Sequence, residues 1–183
     1  MEYEIREYPQ FAACGLNCGL CPRYHTVGAS RCPGCAGEGF LDVHPPCGVL
    51  SCCQRKGLEY CFLCDEYPCE KYEGADLLDS FVTHKNQFRD MERAKNDISA
   101  YAAELDIKIQ ILEELLRSYN DGRRKGFFCL AVNLLDLTDV NSIMEQLESE
   151  VTPEATTKEK AVTAVRLFQT AADEKSIVLK LRK

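Results

Sequence analysis

The sequence lacks tryptophan altogether, and none of its apolar runs approaches the roughly 20 residues that a membrane-spanning helix needs. It also lacks an excess of positive charge, because 22 Lys and Arg stand against 29 Asp and Glu, for a net charge of −7. A negatively charged chain repels the phosphate backbone, so nucleic acid is an unfavourable partner. No apolar segment follows the charged start MEYEIREYPQ, so we expect no secretory signal and a cytoplasmic protein.

Familiar catalytic motifs are absent as well. The chain has no G-x-x-x-x-G-K-[ST] phosphate loop, no G-x-G-x-x-G turn after a strand, no H-E-x-x-H and no G-x-S-x-G. We therefore expect a protein that binds rather than catalyses, in an interaction or regulatory role with a protein partner. The sequence leaves the identity of that partner and the oligomeric state open.

What the chain does have is cysteine, and its distribution divides the sequence. Eleven of the 12 cysteines fall between Cys14 and Cys69. Large apolar residues are sparse in residues 1–73, and so short and apolar-poor a segment usually needs a staple, which in a reducing compartment is a metal ion rather than a disulfide. We predict a small metal-stapled cysteine-rich module at 1–73, followed by a mainly α-helical domain with few strands at 74–183.

The spacing of the cysteines is typical of metal ligands. It includes a C-x3-C-x2-C run that begins at Cys14 and further C-x2-C steps at 32/35 and 61/64. A C-x2-C turn lets two thiolates converge on one ion while nearby backbone N–H groups point at the sulfurs. The predicted ligands are Cys14, Cys18, Cys21, Cys32, Cys35, Cys47, Cys52, Cys61, Cys64 and Cys69.

Zinc is the expected cofactor, with two or three ions. Ten thiols complete two tetrahedral sites, and a third site requires Cys53, His25 or His44 as well. We pair the 32/35 step with the 61/64 step in one site, as in familiar C-x2-C…C-x2-C arrays. Cys129 lies in the apolar run FFCLAVNLL, where a small buried side chain is the simpler interpretation.

Two alternatives use the same thiols. Four thiolates also hold an iron–sulfur cluster, which would make the chain a redox or sensor protein. The run from Cys14 to Cys21 also resembles the cluster motif of radical S-adenosylmethionine enzymes, but Leu20 stands where an aromatic residue is usual and no strand–helix alternation follows. A cluster-dependent enzyme, or one that uses an activated Cys53, is therefore the third interpretation.

The motifs C-G-L-N-C-G-L-C-P-x-Y, C-P-G-C and C-F-L-C-D-E-Y-P-C-E-K resemble a family of small cysteine-rich bacterial and archaeal proteins known as a domain of unknown function. The resemblance covers roughly residues 12–73 and includes Gly15, Pro22 and Tyr67 besides the thiols. It implies a metal-binding module with the ten ligands named above, and it leaves Cys53 as a local addition.

The remainder follows the helical period. Apolar residues predict one helix over 77–91, a second over 98–116 that ends at Asn120-Asp121-Gly122, a third that is capped by Thr138 and a fourth that begins at Thr152. FFCLAVNLL is a short buried helix or strand, and residues 177–181 are a candidate strand. We interpret these apolar faces as core.

Overall fold

The chain is built of helices. The computed structural model describes residues 3–183, and within that range it contains seven α-helices and three short 3₁₀ turns, with no β-strand. This confirms the expectation of a cysteine-rich region followed by a mainly helical domain. The 3₁₀ turns span Cys18–Leu20, Cys61–Leu63 and Glu70–Tyr72. The helices are α1 (Phe40–Val43), α2 (Gly48–Arg55), α3 (Gln87–Asn96), α4 (Ile98–Ser118), α5 (Lys125–Leu134), α6 (Leu137–Glu150) and α7 (Thr157–Glu174).

Two compact units divide the described chain. The first runs to Asp106 and includes Leu181–Lys183, and the second comprises Ile107–Lys180. The cysteine-rich composition ends near residue 73, so the first unit continues past that point through α3 and into α4. Within residues 3–183, no helix is both long and apolar enough to cross a membrane.

Aromatic side chains form much of the core of the first unit. Phe11 is completely buried, and its ring centroid lies 5.6 Å from that of Tyr60 and 4.8 Å from that of Tyr101. Met91 of α3 is also fully buried, with its sulfur 3.5 Å from the hydroxyl of Tyr67. Burying one large apolar side chain contributes about 1.5–3 kcal/mol. The cysteine-rich segment has few large apolar side chains of its own, and helices α3 and α4 therefore supply apolar surface to its core.

A buried polar network joins the cysteine-rich segment to the same two helices. The side-chain amide of Asn17 donates to Asp90 Oδ2 at 2.9 Å, and its oxygen accepts a hydrogen bond from the hydroxyl of Tyr101 at 2.9 Å. Gln87 Nε2 donates to the carbonyl oxygen of Cys14 at 2.7 Å. Because these bonds are directional, they fix the loop that carries the first cysteines against α3 and α4.

Helix α5 lies at the centre of the second unit. All of its residues from Phe128 to Leu134 are buried, so FFCLAVNLL is a core helix, and Cys129 is one of its small buried side chains. Helix α7 packs against both α5 and α6. It begins with a capping box in which Thr156 and Glu159 exchange side-chain and backbone hydrogen bonds.

The helix predicted over 77–91 is wrong in its first two thirds. Residues 75–86 are not helical, α3 begins at Gln87, and Leu77 and Phe81 are 68% and 63% exposed. Polar side chains in this segment bind the backbone instead. Asp79 Oδ1 accepts from the amide of His84 at 2.8 Å, and the amide of Asp79 donates to the carbonyl oxygen of Arg182 at 3.1 Å. The local bond between Asp79 and the amide of His84 competes with helical hydrogen bonds. A pattern of apolar residues does not reveal this competition.

Two helix starts and the candidate strand also differ from the prediction. The N-cap of α6 is Asp136, two residues before the predicted cap Thr138, and α7 begins at Thr157 rather than near Thr152. Residues 177–181 form no strand; instead, the amide of Arg182 donates to Asp79 Oδ2 at 2.7 Å. A strand requires a paired neighbour, and the described residues provide none here.

Candidate functional site

One short stretch of backbone organises three of the cysteine loops. Carbonyl oxygens within residues 9–13 accept hydrogen bonds from the amides of Gly19, Cys35 and Cys61, at 2.8, 2.7 and 2.9 Å. These amides belong to segments far apart in sequence. Residues 9–13 therefore hold the loops that carry the three C-x2-C steps close to one another.

The sulfur atoms accept hydrogen bonds from backbone amides. Cys14 accepts one from the amide of Leu16, and Cys35 accepts one from the amide of Ala13. Cys21 accepts two, from the amides of Arg23 and Tyr24. Burial raises the pKa of Cys14 to about 12, and the amide bond only partly offsets it. Amides directed at a sulfur stabilise its negative form, as they do for thiolates that bind metals.

Six cysteines precede α2, and the charges of these cysteines act on the pKa of Cys14, Cys18 and Cys35. Burial is the largest cause of the raised pKa of Cys14 and of Cys18, and the charge of Cys35 is the next cause for both. Cys47 acts in the same direction on Cys14 and on Cys35. We call this set the N-terminal thiol group; it consists of Cys14, Cys18, Cys21, Cys32, Cys35 and Cys47.

The other five cysteines of the module line one pocket. The pocket has a volume of about 270 Å³, and it is bounded by the second half of α2, the 3₁₀ turn at Cys61–Leu63 and the segment around Cys69. Lys56 and Lys71 stand at its wall. We call it the thiol pocket; its cysteines are Cys52, Cys53, Cys61, Cys64 and Cys69.

Two sulfurs of the thiol pocket are in contact. Cys53 Sγ lies 3.4 Å from Cys61 Sγ. The hydrogen bond donated by Cys53, together with one from Tyr72 and the charges of Lys71 and Lys56, outweighs burial and lowers the pKa of Cys61 to about 6. The same bond raises the pKa of Cys53. The bond between the two sulfurs therefore makes Cys61 the more acidic thiol of this pair.

Lys56 connects the pocket to a carboxylate. Its Nζ lies 3.2 Å from Cys64 Sγ and 2.8 Å from Glu66 Oε2. The side chain of Lys56 is 39% exposed, so solvent weakens both interactions. The pocket nevertheless combines several thiols with positive charge, which favours the thiolate form of its cysteines.

The predicted pairing of the 32/35 step with the 61/64 step stays a prediction. The 61/64 step lies in the thiol pocket, whereas the 32/35 step lies in the N-terminal thiol group. All twelve thiols are free, with no disulfide among them. Over residues 3–183, no three His, Cys, Asp or Glu side chains already stand in an arrangement that would hold one metal ion. The ten cysteines therefore remain predicted ligands.

The two histidines that the sequence offers as extra ligands bind backbone carbonyls. His25 Nε2 lies 2.7 Å from the oxygen of Gly19, and His44 Nδ1 lies 2.7 Å from that of Pro45. The ring of His44 also stacks on Phe40, with centroids 4.4 Å apart. In this arrangement each histidine has one ring nitrogen engaged with the backbone.

Sequence reasoning missed the polar side chains around the thiols. Lys56 and Lys71 lie three residues or fewer from a cysteine, and this proximity was the available signal. Tyr72 contacts Cys61 across eleven positions, and Arg6 contacts Cys35 across a longer interval. No spacing rule connects residues that far apart, because their contact depends on the tertiary fold.

Comparison with known proteins assigns a family to the cysteine-rich segment. Residues 10–74 match a family described as a protein of unknown function (DUF3795), which confirms the resemblance drawn from the motifs. Neither a curated protein nor a solved structure matches the chain. The matched range contains both the N-terminal thiol group and the thiol pocket.

Proposed function

We propose that the DUF3795 domain at residues 10–74 is a metal-binding domain, and that the cysteines of the thiol pocket hold zinc. The observation that carries this proposal is that five thiols from separate segments line one pocket. Thiolates are the ligands that zinc prefers in structural sites. Four of the five, Cys52, Cys61, Cys64 and Cys69, are predicted ligands and make a complete set, and Cys53 is the local addition.

The surroundings of the pocket suit a site that gathers negative charge. Four thiolates around a divalent ion leave a net negative charge, and Lys56 and Lys71 lie at the pocket wall to balance part of it. Elsewhere in the domain, backbone amides that donate to the sulfurs of Cys14 and Cys21 also stabilise negative charge on sulfur. The donor set and its electrostatics therefore fit a thiophilic metal ion.

The metal would act structurally. The domain has few large apolar residues, so metal coordination would contribute directly to its folding free energy. An ion held by four thiolates has no open position for substrate, which suits an interaction or regulatory module. The thiols would need to converge by rotation of their side chains, because in the described residues no three of them are already arranged around one point.

An iron–sulfur cluster is the second candidate, and the size of the pocket favours it. A volume of about 270 Å³ accommodates a group larger than a single ion, with cysteines separated around it. Such a cluster would bring redox or sensor chemistry to the same thiols. A cluster-dependent enzyme would also need room for a substrate beside the cluster, which makes it the more demanding use of one pocket.

Elemental analysis separates these candidates. The chain is purified without oxygen, and its zinc, iron and acid-labile sulfide are counted beside a visible absorption spectrum. Colourless protein with zinc supports the first candidate, and coloured protein with iron and sulfide supports the second.

Matched variants then locate the metal. Cys64→Ala removes a thiol of the pocket, and Cys129→Ala removes a thiol from the core of the second unit. We expect the first variant to lose one equivalent of metal and the second to lose none. Protein that binds neither metal nor sulfide, or a Cys64→Ala variant with full metal content, contradicts the proposal.

A further inference from the structure

Cys53 is the thiol of the pocket that the proposed metal set leaves unused. The four predicted ligands of the pocket complete a tetrahedral zinc site without it. Cys53 lies on α2 and is 3% exposed, yet it lines the pocket. Its sulfur lies 3.4 Å from that of Cys61, which is one of the predicted ligands. The spare thiol of the pocket is therefore in direct contact with a ligand thiol.

Backbone hydrogen bonds hold these two cysteines in place. The carbonyl oxygen of Cys53 accepts from the amide of Leu58 at 2.9 Å, which closes the turn after α2. The amide of Cys61 donates to the carbonyl oxygen of Ala13 at 2.9 Å, and its own carbonyl oxygen accepts from the amide of Cys64 at 3.0 Å. The contact between the sulfurs therefore depends on a backbone that is fixed on both sides.

The geometry of the pair suits a disulfide bond. An S–S bond is about 2.0 Å long, so the two sulfurs need to approach each other by about 1.4 Å from their present separation. Rotation of the side chains supplies a movement of this size. It leaves the backbone hydrogen bonds of both cysteines intact, so the bond can form within the folded domain.

A small oxidant can reach the pair through the thiol pocket. The pocket has a volume of about 270 Å³, and both cysteines line it. One water molecule occupies about 30 Å³, and hydrogen peroxide, with two oxygen atoms, needs about twice as much. Lys56 and Glu66 at the pocket wall have side chains that are 39% and 73% exposed, so the pocket meets solvent there.

We propose that Cys53 and Cys61 are a redox pair that a hydroperoxide converts to a disulfide, and that this bond withdraws Cys61 from the metal set of the thiol pocket. The release of metal rests on the proposed function, whereas the disulfide does not. A sulfur in a disulfide is no longer a thiolate, and the three that remain hold zinc less tightly than four. The redox pair makes metal binding sensitive to oxidation.

The chemistry balances with hydrogen peroxide as the oxidant. One sulfur of the pair attacks an oxygen of the peroxide, the O–O bond breaks, and a sulfenic acid and one water form. The second sulfur then attacks the sulfenic sulfur, so that the S–S bond forms, the S–O bond breaks and the oxygen leaves as a second water. The two thiols lose two electrons and two protons, and the peroxide gains both. A dithiol reductant reverses the reaction by exchange.

The test oxidises the full-length chain in two forms, loaded with zinc and free of zinc. Hydrogen peroxide is added, and released zinc is followed with a coloured chelator. The remaining thiols are then alkylated, and peptides joined by a disulfide are identified by mass spectrometry. Dithiothreitol is added to a parallel sample to test whether zinc binds again.

Cys53→Ser is the main variant, and two matched substitutions control it. Cys52→Ser removes the neighbouring thiol of the same helix, which is a predicted ligand. Cys129→Ser removes another buried thiol, which lies in α5 and outside the pocket. The three variants therefore separate the spare thiol from a ligand thiol and from the general effect of losing a buried cysteine.

We expect a peptide linked through Cys53 and Cys61 in both forms of the wild-type chain, and release of one equivalent of zinc that the reductant reverses. Cys53→Ser should bind zinc like the wild type but release it at least about 10-fold more slowly, because it lacks a thiol held at high effective concentration beside Cys61. Cys52→Ser should lose the zinc yet form the same disulfide. Cys129→Ser should match the wild type in both respects.

Three results overturn the inference. The first is an oxidised wild-type chain with no peptide linked through Cys53 and Cys61; this measurement needs no variant, so it decides the inference even where Cys53→Ser does not fold. The second is a Cys53→Ser variant that releases zinc as fast as the wild type. The third is a Cys53→Ser variant that binds one equivalent less zinc, which makes Cys53 a ligand and not a spare thiol.

The proposed function and the redox pair fail in different ways. A chain that forms the disulfide but binds no zinc contradicts the proposed function, and with it the release of metal, while the redox pair stands. A chain whose zinc depends on Cys64 but which forms no disulfide between Cys53 and Cys61 contradicts the redox pair, while the proposed function stands.

Discussion

The close approach of α3 to the cysteine-rich segment predicts a severe effect of one small substitution. Gly15 has φ +86°, a left-handed conformation that costs an alanine roughly 1–2 kcal/mol. A Cβ at this position would also overlap the side chain of Met91 and lie 3.1 Å from the carbonyl oxygen of Gln87. Overpacking of this kind typically costs about 1–3 kcal/mol. We therefore expect Gly15→Ala to lower the free energy of unfolding of the first unit by about 2–5 kcal/mol.

Gly28→Ala isolates the contribution of the contact. Gly28 has nearly the same φ, +88°, but a Cβ there meets no atom within 4 Å. The two variants therefore share the backbone strain, and their difference reports the overlap with α3. Urea unfolding followed by hydrogen exchange of the amides in α3, at equal metal content, measures that difference. If Gly15→Ala and Gly28→Ala agree within about 0.5 kcal/mol, α3 does not pack against the cysteine loop as described.

Three further predictions test other parts of the fold. Asn17→Ala removes the donor to the buried Asp90 carboxylate and should cost about 2–4 kcal/mol in urea unfolding; a loss below about 0.5 kcal/mol would show that this network is not buried. Thr156→Ala removes the cap of α7 and should cost about 1 kcal/mol, seen as faster exchange of the first-turn amides and refuted by unchanged protection. Burial opposes ionisation of Asp79, but hydrogen bonds from Arg182 and from backbone amides lower its pKa from 3.8 to about 2. This pair therefore stabilises the fold by about 2 kcal/mol above pH 5, and that stabilisation is lost as the pH falls from about 4 to 2. Arg182→Ala should be less stable than wild type at pH 6 but nearly equal to it near pH 2; a difference that does not change with pH contradicts the assignment.

Local sequence signals predicted the local structure. Two of the three C-x2-C steps form 3₁₀ turns, at Cys18–Leu20 and Cys61–Leu63, because such turns depend on residues two or three positions apart. The 98–116 periodicity corresponds to α4, since a long apolar stripe has few other solutions. The segment around Leu77 has a similar stripe and is not helical, because Asp79 and its hydrogen bonds select a different backbone.

The grouping of thiols was beyond the reach of spacing rules. Cys32 and Cys61 both occupy C-x2-C steps, yet they belong to different groups. The position of each loop depends on long-range bonds such as that from the amide of Cys61 to the carbonyl oxygen of Ala13. These interactions join residues separated by tens of positions, and the cysteine pattern contains no information about them.

By itself, the sequence determined that the first third of the chain is rich in thiols and poor in apolar bulk, and that the remainder is helical. Both are properties of composition and short-range period, which backbone sterics and burial convert directly into structure. Only the tertiary structure decided that α3 and the start of α4 complete the cysteine-rich unit, which five thiols share a pocket, and that Arg6 is buried against Cys35. Such contacts join residues that are distant in sequence, so they form only when the whole unit packs together.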